Sequence, residues 1–544
     1  MNITTKLDHI SDDFITQYLT ALGVDDIKHY LKPIQKNYES PWNYTCMKKA
    51  VQILHEYINN NINIGIVIDS DTDGACSAAL IYDFLIKQNV NSDKIILYHH
   101  EGKQHGIKDI LPQILEKNGK NSLLIIPDAG TNDVKECSAL AEATIEPLIL
   151  DHHNIDEPNM FATVINNQYP KVNNHNLSGT GVTDKFVRAY CEEYHLLYPD
   201  YSDLVAISLV GDVCDLSHIE NRTYVYYGLK NINNPFLAYL FEKCCKKRGK
   251  TPDAIGWDIA PLCNALARSD EQESKMLFFE GLIGEIQPEE ALKQIRRVKR
   301  LQDETVKSVV TEIESNLDLS TKVIVGFTQP ENASFTGLIA NKFTGKYNKP
   351  TILLRDTGYG AWSGSLRSPV PLATQINQGG IANAQGHEEA CGIIVKKKKL
   401  KEFLNWLETL DLSNRSNIPV VACVEPEDIT IDLCNQITKH QDLWGHGVDN
   451  PKFYIDTICT QENIFVFEKS TTTLKVQLGD LACLKFFASP NDVERFRKHN
   501  KFRIELVVGE LSVNEWEGVK TPQCMIKEYE ITPINTVESW EDSF

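Results

Sequence analysis

The sequence predicts an α/β protein in which a parallel sheet is followed by a smaller α/β unit and by a C-terminal β-barrel. Three patterns carry this prediction. Apolar strands alternate with amphipathic helical segments from residue 61 onward, no glycine or proline interrupts residues 289–317, and short strands separated by polar turns follow residue 415. Alternating strands and helices form parallel sheets covered on both faces, and closely spaced short strands are typical of small barrels.

These patterns divide the chain into five segments. We expect a helical N-terminal segment (1–60), a main α/β domain (61–284), a long connecting helix (285–317), a second α/β domain (318–414) and a barrel (415–544). A chain of 544 residues with 42% hydrophobic and 24% charged residues is long enough for about two to four domains with apolar cores.

Charge and cysteine content narrow the class of protein. The net charge of −19 argues against a protein that coats nucleic acid with its whole surface, although it allows a local basic groove. None of the 14 cysteines forms a CxxC pair, so free thiols are expected. The N-terminus lacks a signal-peptide pattern, and no apolar run reaches the roughly 18–20 residues of a membrane span. We therefore expect a cytoplasmic protein without a membrane partner.

Acidic residues and histidines cluster where predicted apolar segments end. The clusters are Asp69, Asp71 and Asp73; Asp128; Asp151, His152 and His153; and Asp212. The first three follow predicted strands, and the fourth ends a helical segment. Because ligands of parallel sheets bind beyond the carboxyl ends of the strands, these side chains are expected to meet in one site.

Each cluster has a structural and a functional interpretation. Asp69, Asp71 and Asp73 also fit a capped loop, since aspartate favours helix N-caps. Two adjacent histidines after Asp151 are harder to explain structurally and suggest a ligand plus a phosphate contact. Together the clusters favour a metal-dependent hydrolase. An oxygen-rich set with imidazoles suits Mn²⁺ or Mg²⁺ better than Zn²⁺, and there are enough carboxylates for two ions.

Four ordered motifs resemble those of the DHH superfamily of phosphoesterases, namely IDSDTDG, IPDAG, LDHH and SLVGDVCDL. The segment NAQGHEEACG resembles the glycine-histidine motif of the DHH-associated domain. Further segments are similar to the RecJ family of single-strand-specific exonucleases. They are PWNYTCMKKAVQIL, SGTGVTDKFV, IAPLCNALAR, ASFTGLIANKFTGKYNKPTILL, SGSLRS and LWGHGVDNPKF. The resemblance covers nearly the whole chain.

The resemblance implies a role for each candidate residue. Seven residues are implied to be catalytic: Asp69 and Asp71 as ligands of a first metal, Asp73, His152 and Asp212 as ligands of a second, Asp128 as the bridge, and His153 as a contact of the scissile phosphate. Four further residues are implied to bind substrate: Arg268, Arg367, Gly386 and His387. Departures from the family pattern (Leu150, Leu262, Ala267 and Gln385) remove no metal ligand, so they affect substrate grip rather than chemistry.

The implied function is metal-dependent 5′-to-3′ hydrolysis of single-stranded DNA to 5′-mononucleotides, in DNA recombination or repair. It uses two Mn²⁺ ions, with Mg²⁺ as the substitute. The implied fold is a DHH domain (61–284), its associated domain (318–414) and an oligonucleotide-binding (OB)-like barrel. Single-stranded DNA is the expected partner, and a single-strand-binding protein or a helicase is a further candidate. The oligomeric state stays open.

Two alternatives remain. One is a DHH phosphodiesterase that acts on oligoribonucleotides or cyclic dinucleotides. Those relatives typically begin their first motif with a histidine, where this chain has Asp69, and they are shorter. The other is a catalytically inactive protein that binds DNA or a replication partner, for which loss of metal ligands is the expected mark. All the ligands are present here.

Basic runs and C-terminal aromatics are weaker candidates. The runs are Lys243 to Lys250, Arg296 to Arg300 and Lys396 to Lys401. Such runs are usually solvated faces, but the middle one lies on the connecting helix and is the best candidate for a DNA track. The aromatics are Phe453, Tyr454, Phe465, Phe467, Phe486 and Phe487. They fit core packing by default and base stacking as the alternative.

Overall fold

The N-terminal segment divides its packing between two cores. The computed structural model describes residues 1–100, 105–269, 271–412, 418–468 and 471–534. The segment contains β1 (Ile3–Thr5), α1 (Phe14–Ala21), α2 (Ile27–Leu31) and α3 (Met47–Asn59). Phe14 and Tyr30 pack into the core of the C-terminal domain, whereas Met47 and Leu54 pack against the first sheet. The amphipathic helices were predicted, but their separate partners were not.

A five-stranded parallel sheet forms the centre of the first domain, with strand order β3-β2-β4-β5-β6. Its elements are β2 (Ile64–Ile68), α4 (Thr72–Lys87), β3 (Ile95–His99), α5 (Leu111–Lys117), β4 (Ser122–Pro127), α6 (Val134–Glu142), β5 (Ile145–Asp151), β6 (Thr163–Asn166), α7 (Gly179–Glu193), α8 (Ser202–Gly211), α9 (Ile219–Lys230) and α10 (Pro235–Cys244). Short helices complete it: α11 (Pro252–Ala254), a π-helix (Ile255–Ile259), α12 (Ala260–Ala267), α13 (Gln272–Lys275) and α14 (Leu277–Ile283). Every residue of β2 and β4 is buried, as expected for parallel strands covered by helices.

Helix α15 (Pro288–Glu314) connects the first two domains. It begins with a proline at its first position followed by two glutamates, a combination that suits a helix N-terminus. Leu292 and Ile295 pack into the first domain's core, while Val306 and Ile313 pack with Phe343 of the second domain. The predicted connecting helix is therefore present, and it fixes one domain relative to the other.

The second domain is a smaller mixed sheet with strand order β10-β11-β9-β8-β7, in which only β7 and β8 are parallel. Its elements are β7 (Ile324–Thr328), α16 (Thr336–Tyr347), β8 (Thr351–Asp356), β9 (Ala361–Arg367), α17 (Ala373–Gln378), β10 (Ala382–Gly386), β11 (Ala390–Lys396) and α18 (Leu400–Leu407). A tight turn joins β10 to β11 and is closed by backbone hydrogen bonds between His387 and Ala390.

A seven-stranded sheet forms the C-terminal domain, with strand order β13-β14-β18-β19-β17-β16-β15. Its elements follow β12 (Ile418–Val420) and are β13 (Ala422–Cys423), α19 (Ile431–Lys439), β14 (Phe453–Thr460), β15 (Ile464–Glu468), β16 (Thr472–Leu478), β17 (Leu481–Phe486), α20 (Pro490–Arg497), β18 (Lys501–Trp516) and β19 (Val519–Pro533). Most pairs are antiparallel, as expected, but β13–β14 and β17–β19 are parallel. Helix α19 interrupts the strands expected in this segment, and Thr430 caps it by accepting a hydrogen bond from the Leu433 backbone N–H.

Candidate active site

The carboxyl edge of the first sheet gathers three buried aspartates. Asp69 follows β2, Asp128 follows β4 and Asp151 ends β5, and each is at most 2% exposed. Parallel strands deliver their carboxyl ends to one edge, so residues distant in sequence meet here. Because burial penalises carboxylate charge, this edge needs compensation from hydrogen bonds or cations.

Asp71 closes the turn between β2 and α4 as the helix N-cap. Its side chain accepts hydrogen bonds from the backbone N–H groups of Asp73 (3.0 Å) and Gly74 (3.1 Å). A Cβ at Gly74 would lie 2.4 Å from the Cβ of Asp69, so the turn requires glycine. Burial and the charges of Asp69 and Asp73 raise the pKa of Asp71. Asp71 is therefore both a cap and part of an acidic cluster.

Asp73 is compensated by the protein itself. Its carboxylate accepts hydrogen bonds from the backbone N–H groups of Gly179 (2.7 Å) and Thr180 (2.8 Å), at the N-terminus of α7. The hydroxyls of Thr180 and Ser208 donate to it as well, each at 2.6 Å. Four donors at or near a helix N-terminus therefore fix the Asp73 side chain in place.

Asp128 differs from Asp73 in its hydrogen bonding. It adopts a left-handed backbone conformation (φ 65°), and its buried Oδ1 accepts no hydrogen bond. Burial together with the charges of Asp73 and Asp71 holds the pKa of Asp128 well above its usual range. A Cβ at Gly179 would lie 2.3 Å from Oδ1 of Asp128, so glycine is needed for this close approach. Asp128 is thus a buried acid whose Oδ1 accepts no hydrogen bond from the described residues, with the His152 imidazole 3.2 Å from it.

His152 lies at the centre of the acidic groups. Its Nε2 is 3.2 Å from Asp128 Oδ1, 3.7 Å from Asp73 Oδ2 and 3.8 Å from Asp212 Oδ2. Asp212 caps the C-terminal end of α8, and burial together with the charge of Asp73 raises its pKa to about 6. Ligands that share an octahedral ion at about 2.1 Å lie roughly 3 Å apart, so these separations suit a common cation.

Asp151 lies at the same edge, and the sequence analysis placed it in a cluster without giving it a role. It accepts hydrogen bonds from the backbone N–H groups of Thr131 (3.1 Å), His152 (2.7 Å) and His153 (3.1 Å). The Nδ1 of His153 lies 2.8 Å from it. Although burial opposes its charge, the hydrogen bond from His153 and the neighbouring imidazoles lower the pKa of Asp151. Asp151 in turn raises the pKa of His153 to about 9.

His105 is a second residue that the sequence analysis missed. Its Nδ1 lies 2.8 Å from Oδ2 of Asp69, and the bond to this carboxylate raises the pKa of His105. Its side chain is 47% exposed, and its ring centroid is 6.1 Å from that of His153. The sequence signal for this residue was a histidine in the loop that follows β3. The β3 segment itself was not predicted to be a strand.

Two groups of potential metal ligands lie at this edge. They are Asp128, Asp151, His152 and His153, and Asp73, His152 and Asp212, with all ligand atoms of a group within 4.8 Å of one another. Neither group includes Asp69 or Asp71. Both oxygens of Asp69 are engaged, by the Ser70 backbone N–H and by His105. The structure thus brings five of the predicted catalytic residues together as possible ligands and places Asp69 and Asp71 beside them.

A second cluster carries positive charge that no carboxylate of the described residues pairs with. Arg268 caps the C-terminal end of α12, and Arg367 ends β9. Burial and the nearby Arg367 guanidinium lower the pKa of Arg268, and burial lowers that of Arg367. A Cβ at Gly337, in the first turn of α16, would lie 2.8 Å from an Arg367 nitrogen. Two guanidiniums beside a helix N-terminus repel one another, and among the described residues no carboxylate pairs with either arginine.

The β10–β11 turn lies against this cluster. Arg367 pairs with Ala390 across β9 and β11, and Gly386 pairs with Cys391 across β10 and β11. Gly386 has φ 130°, a backbone conformation that favours glycine. His387 follows it on the exposed turn. The four predicted substrate-binding residues are therefore brought to one place, although their role is not tested by this placement.

Comparison with known proteins assigns the family. A model of the DHH family, N-terminal domain, matches residues 63–209, and a model of the RecJ OB domain matches residues 422–528. The chain thus contains a DHH-family domain and a RecJ-type OB domain. YorK of the Bacillus subtilis SPbeta prophage, provisionally named a single-strand DNA-specific exonuclease, is 28% identical over 95% of this chain and 96% of its own length. The single-stranded-DNA-specific exonuclease RecJ of Bacillus subtilis is 26% identical over 100% of this chain and 71% of its own length.

A solved structure shares the fold. RecJ of Thermus thermophilus in complex with Mn²⁺ matches with a TM-score of 0.72 and 18% identity, over 96% of this chain and 78% of that chain. The predicted fold class is confirmed: a DHH domain with a parallel sheet, a smaller associated α/β domain joined by a long helix, and an OB-like C-terminal domain. In the described part of this DHH protein, no helix is long and apolar enough to cross a membrane.

Acidic neighbours pair with much of the charge in the basic runs. The pairs are Arg248 with Asp253 (2.7 Å), Arg297 with Glu271 (2.5 Å), Arg300 with Glu304 (3.8 Å) and Lys397 with Asp356 (2.5 Å). The connecting helix consequently carries less unpaired positive charge than its sequence indicated.

Exposed phenylalanines form a patch on the RecJ OB domain. Phe465 and Phe467 of β15 and Phe486 of β17 are 42%, 46% and 50% exposed. Lys475 of β16 is paired with Phe465, and its ammonium lies 4.6 Å from that ring's centroid. We call these four residues the phenylalanine face. Core packing, the default expectation, holds for the fully buried Phe453 but is wrong for this face and for Phe487, which is 78% exposed.

Proposed function

We propose that the protein is a metal-dependent exonuclease that hydrolyses single-stranded DNA from its 5′ end and releases 5′-mononucleotides, in DNA recombination or repair. The observation that carries this proposal is a cluster of buried carboxylates that needs a cation, with an uncompensated arginine pair that needs an anion. A phosphodiester bound through metal ions satisfies both. The relatives YorK and RecJ are themselves named single-strand DNA-specific exonucleases, which supports the proposal.

The carboxylate cluster fits divalent cations. The unpartnered Oδ1 of Asp128 is the group that a cation would satisfy, and the oxygen-rich donor set suits Mn²⁺ or Mg²⁺. Asp73, His152 and Asp212 would hold one ion, Asp69 and Asp71 would hold another, and Asp128 would bridge them. Two bound ions supply an activated water and stabilise the leaving oxygen in phosphodiester hydrolysis. Thermus thermophilus RecJ is described in complex with Mn²⁺ and with Mg²⁺, and we propose Mn²⁺ as the preferred ion here.

The protein's own groups prepare this site before substrate arrives. Two backbone N–H groups of helix α7 hold the Asp73 side chain in position, so it needs no rearrangement when a metal binds. Asp151 holds the His153 ring by Nδ1 and leaves its Nε2 edge on the exposed side, where it is placed to contact the scissile phosphate. Positioning by fixed hydrogen bonds lowers the cost of reaching the transition state.

The arginine pair is the proposed site for the 5′-terminal phosphate. Guanidiniums bind phosphate bidentately, and the N-terminus of α16 adds backbone N–H donors. Helix α12 connects this site to the catalytic edge, because the Cys263 thiol lies beside Thr72 and Arg268 follows at the end of the helix.

The phenylalanine face supports the preference for single strands. Exposed aromatic rings on a sheet stack on unpaired bases, and Lys475 adds a cation for the backbone. Bases in a duplex already stack on one another and are not free to bind in this way. A single-strand-binding protein or a helicase is a further proposed partner, and the exposed phenylalanine face is available to contact it.

Of the two alternatives, neither gains a supporting observation. The small-substrate phosphodiesterase does not explain an OB domain with an exposed aromatic face. The inactive scaffold does not explain why Asp73, His152 and Asp212 lie within ligand distance of one another.

An end-label assay tests the proposal. Single-stranded DNA labelled at its 5′ or its 3′ end is incubated with the protein and Mn²⁺, and the same strand in a blunt duplex serves as the control. We expect immediate release of label from the 5′-labelled strand, gradual shortening of the 3′-labelled strand, and an intact duplex. Initial loss of the 3′ label, or equal digestion of the duplex, would contradict the proposal.

A further inference from the structure

Trp257 is an exposed aromatic residue near the catalytic edge that the proposed function does not use. It is 69% exposed and lies in the π-helix Ile255–Ile259. A π-turn is rare in proteins and occurs frequently at functional sites. A single exposed aromatic residue is common on protein surfaces, so its surroundings decide whether it has a role.

The π-helix packs against the last turn of α8, which leads to Asp212. A Cβ at Gly256 would lie 3.9 Å from Cγ1 of Val210. The carbonyl of Val210 accepts a hydrogen bond of 3.2 Å from the Val213 backbone N–H. Val213 follows Asp212 and is 61% exposed. Two exposed apolar residues, Trp257 and Val213, therefore border the part of the catalytic edge that Asp212 forms.

Val213 has a backbone conformation that valine rarely adopts. Its φ is 57°, and the next residue, Cys214, donates its backbone N–H to the Leu209 carbonyl at 2.9 Å. Glycine usually occupies this position at a helix C-terminus, and a β-branched side chain is disfavoured there. Because Val213 is largely exposed, packing does not explain its presence. A strained and exposed residue beside a catalytic edge favours a contact with a ligand.

Unpaired lysines lie close to Trp257. Arg248 pairs with Asp258 of the π-helix at 2.9 Å, which holds the first basic run beside it. The exposed lysines that follow Lys243 in this run are Lys246, Lys247 and Lys250. Within the described residues, no carboxylate forms an ion pair with these three. An exposed aromatic ring beside unpaired cations matches a nucleic acid strand, whose bases stack and whose phosphates are anionic.

The position of Trp257 along its helical segment indicates which part of a strand it faces. The helical turns over residues 252–267 are continuous. Cys263 lies beside Thr72 at the catalytic edge, and Arg268 follows the last turn. Trp257 and Arg268 are therefore on opposite sides of the point where this segment meets the edge. Since the arginine pair is the proposed site of the 5′-terminal phosphate, a strand that crosses the edge continues toward Trp257.

The C-terminal domain contacts the same segment. The His446 carbonyl accepts a hydrogen bond of 2.8 Å from the Leu216 backbone N–H, and His446 is exposed. A Cβ at Gly445 would lie 3.6 Å from the Cβ of Pro252, at the start of the helical turns that carry Trp257. A strand that passes over Trp257 is therefore led from the catalytic edge toward the OB domain.

We propose that Trp257 stacks on a base of the single strand on the 3′ side of the scissile bond. Val213 contacts the same stretch of strand, and Lys246, Lys247 and Lys250 contact its phosphates. This inference rests on the proposed function and extends it to the part of the strand that has not yet been cut. Stacking tolerates any base, so it suits an enzyme that degrades strands of any sequence.

A binding assay with two strands separates stacking from a structural role. Both strands carry a 5′ phosphate and a 3′ fluorophore, and one lacks the base of every nucleotide after the first. The Kd is measured by anisotropy in EDTA, so that no cleavage occurs. We expect Trp257→Ala to raise the Kd of the complete strand by about five- to fifty-fold and that of the abasic strand by less than about two-fold. Trp257→Phe should bind the complete strand within about three-fold of the wild type.

Two further variants complete the test. Trp516→Ala is the matched control, because Trp516 is 71% exposed but lies at the end of β18, and its binding should equal that of the wild type. Lys246→Ala/Lys247→Ala should lower the slope of log Kd against log salt by about one to two, because phosphate contacts are lost. All variants should melt within about two degrees of the wild type, since the replaced side chains are exposed.

Several outcomes would overturn the inference. Equal weakening on both strands would mean that Trp257 supports the fold and does not contact a base. Unchanged binding in Trp257→Ala would assign this surface to a protein partner, and a Trp257→Phe variant as weak as Trp257→Ala would exclude stacking. These results do not depend on cleavage. A wild type that binds both strands but cleaves no single-stranded DNA with Mn²⁺ would instead refute the proposed function itself.

Discussion

The catalytic edge of the DHH domain and the pair formed by Arg268 and Arg367 carry opposite charges. At the first, Asp128 is buried with an unpartnered oxygen among other carboxylates. At the second, Arg268 and Arg367 lie near one another beside the N-terminus of α16. Each arrangement is unfavourable alone, because like charges are held together where solvent screens them poorly. The natural complement of the first is a metal ion and that of the second is a phosphate.

The two regions differ in how they are compensated without ligands. The DHH edge partly compensates itself, because α7 supplies backbone N–H groups to Asp73 and Asp151 collects three backbone donors. The arginine pair receives no such support, since within the described residues its side chains donate only to local carbonyls, from Arg268 to Asn264 and from Arg367 to Leu366. We infer that the catalytic edge is preformed, whereas the phosphate site depends on substrate for its compensation.

The largest expected effect comes from Asp128. Asp128→Ala should lower cleavage of single-stranded DNA by about a thousand-fold or more at saturating Mn²⁺, because the bridging carboxylate is lost from both proposed ions. Asp26→Ala, which removes an exposed carboxylate, is the control and should be fully active. Circular dichroism should report an unchanged fold. Near-normal turnover of a folded Asp128→Ala protein would contradict the proposal that this carboxylate bridges two metal ions.

A smaller effect is expected at the arginine pair. Arg367→Ala should lower kcat/KM on 5′-phosphorylated strands by about ten- to hundred-fold and affect 5′-hydroxyl strands much less, since it removes a charge-assisted phosphate contact. Its melting temperature should not fall, because repulsion with Arg268 is relieved. Arg503→Ala, which breaks an exposed ion pair with Asp456, is the control. Equal losses on both kinds of strand would show that Arg367 does not read the terminal phosphate.

The phenylalanine face should contribute less still. The double variant Phe465→Ala/Phe467→Ala should raise KM on long strands by about three- to ten-fold, through lost stacking, with kcat on short oligonucleotides unchanged. Tyr359→Ala removes a ring that is 96% exposed on the associated domain and serves as the control. An unchanged KM on long strands would assign this face to a protein partner.

Metal binding should also be visible in stability. Mn²⁺ should raise the melting temperature of the wild type by several degrees and EDTA should reverse the shift, because ligand at about 100 times its dissociation constant stabilises by roughly 2.7 kcal/mol. Asp128→Asn should melt above the wild type without metal, since it removes an uncompensated acid, and should gain less from Mn²⁺. A wild type indifferent to Mn²⁺ would show that the carboxylates are compensated in another way.

The sequence predicted the sheet edge well because local rules are sufficient there. The run Ile64–Ile68 is too short and too apolar for anything but a buried strand, and parallel strands must bring their carboxyl ends together. Aspartates at those ends were therefore expected to meet. Helix α15 was equally easy to predict, because a run of 27 residues without an internal glycine or proline leaves few alternatives to a helix.

Features that depend on tertiary contacts could not be predicted from the sequence in the same way. Nothing in the spacing of α1 and α3 indicates that one packs on the C-terminal domain and the other on the DHH domain. Arg268 and Arg367 are almost a hundred residues apart, and only the family resemblance suggested that both bind substrate. His105 was missed because it reaches Asp69 from a loop, outside the strand-end pattern that revealed the other residues.

The size of the first product tests the central claim most directly, namely that the arginine pair holds the terminal phosphate while the catalytic edge hydrolyses the first phosphodiester bond. A 5′-labelled single strand is mixed with the protein and Mn²⁺, and the labelled products are resolved at the earliest times at which cleavage is detectable. We predict that a labelled mononucleotide is the first product and that labelled dinucleotides or longer fragments do not precede it. A labelled fragment of two or more nucleotides as the first product would contradict this account.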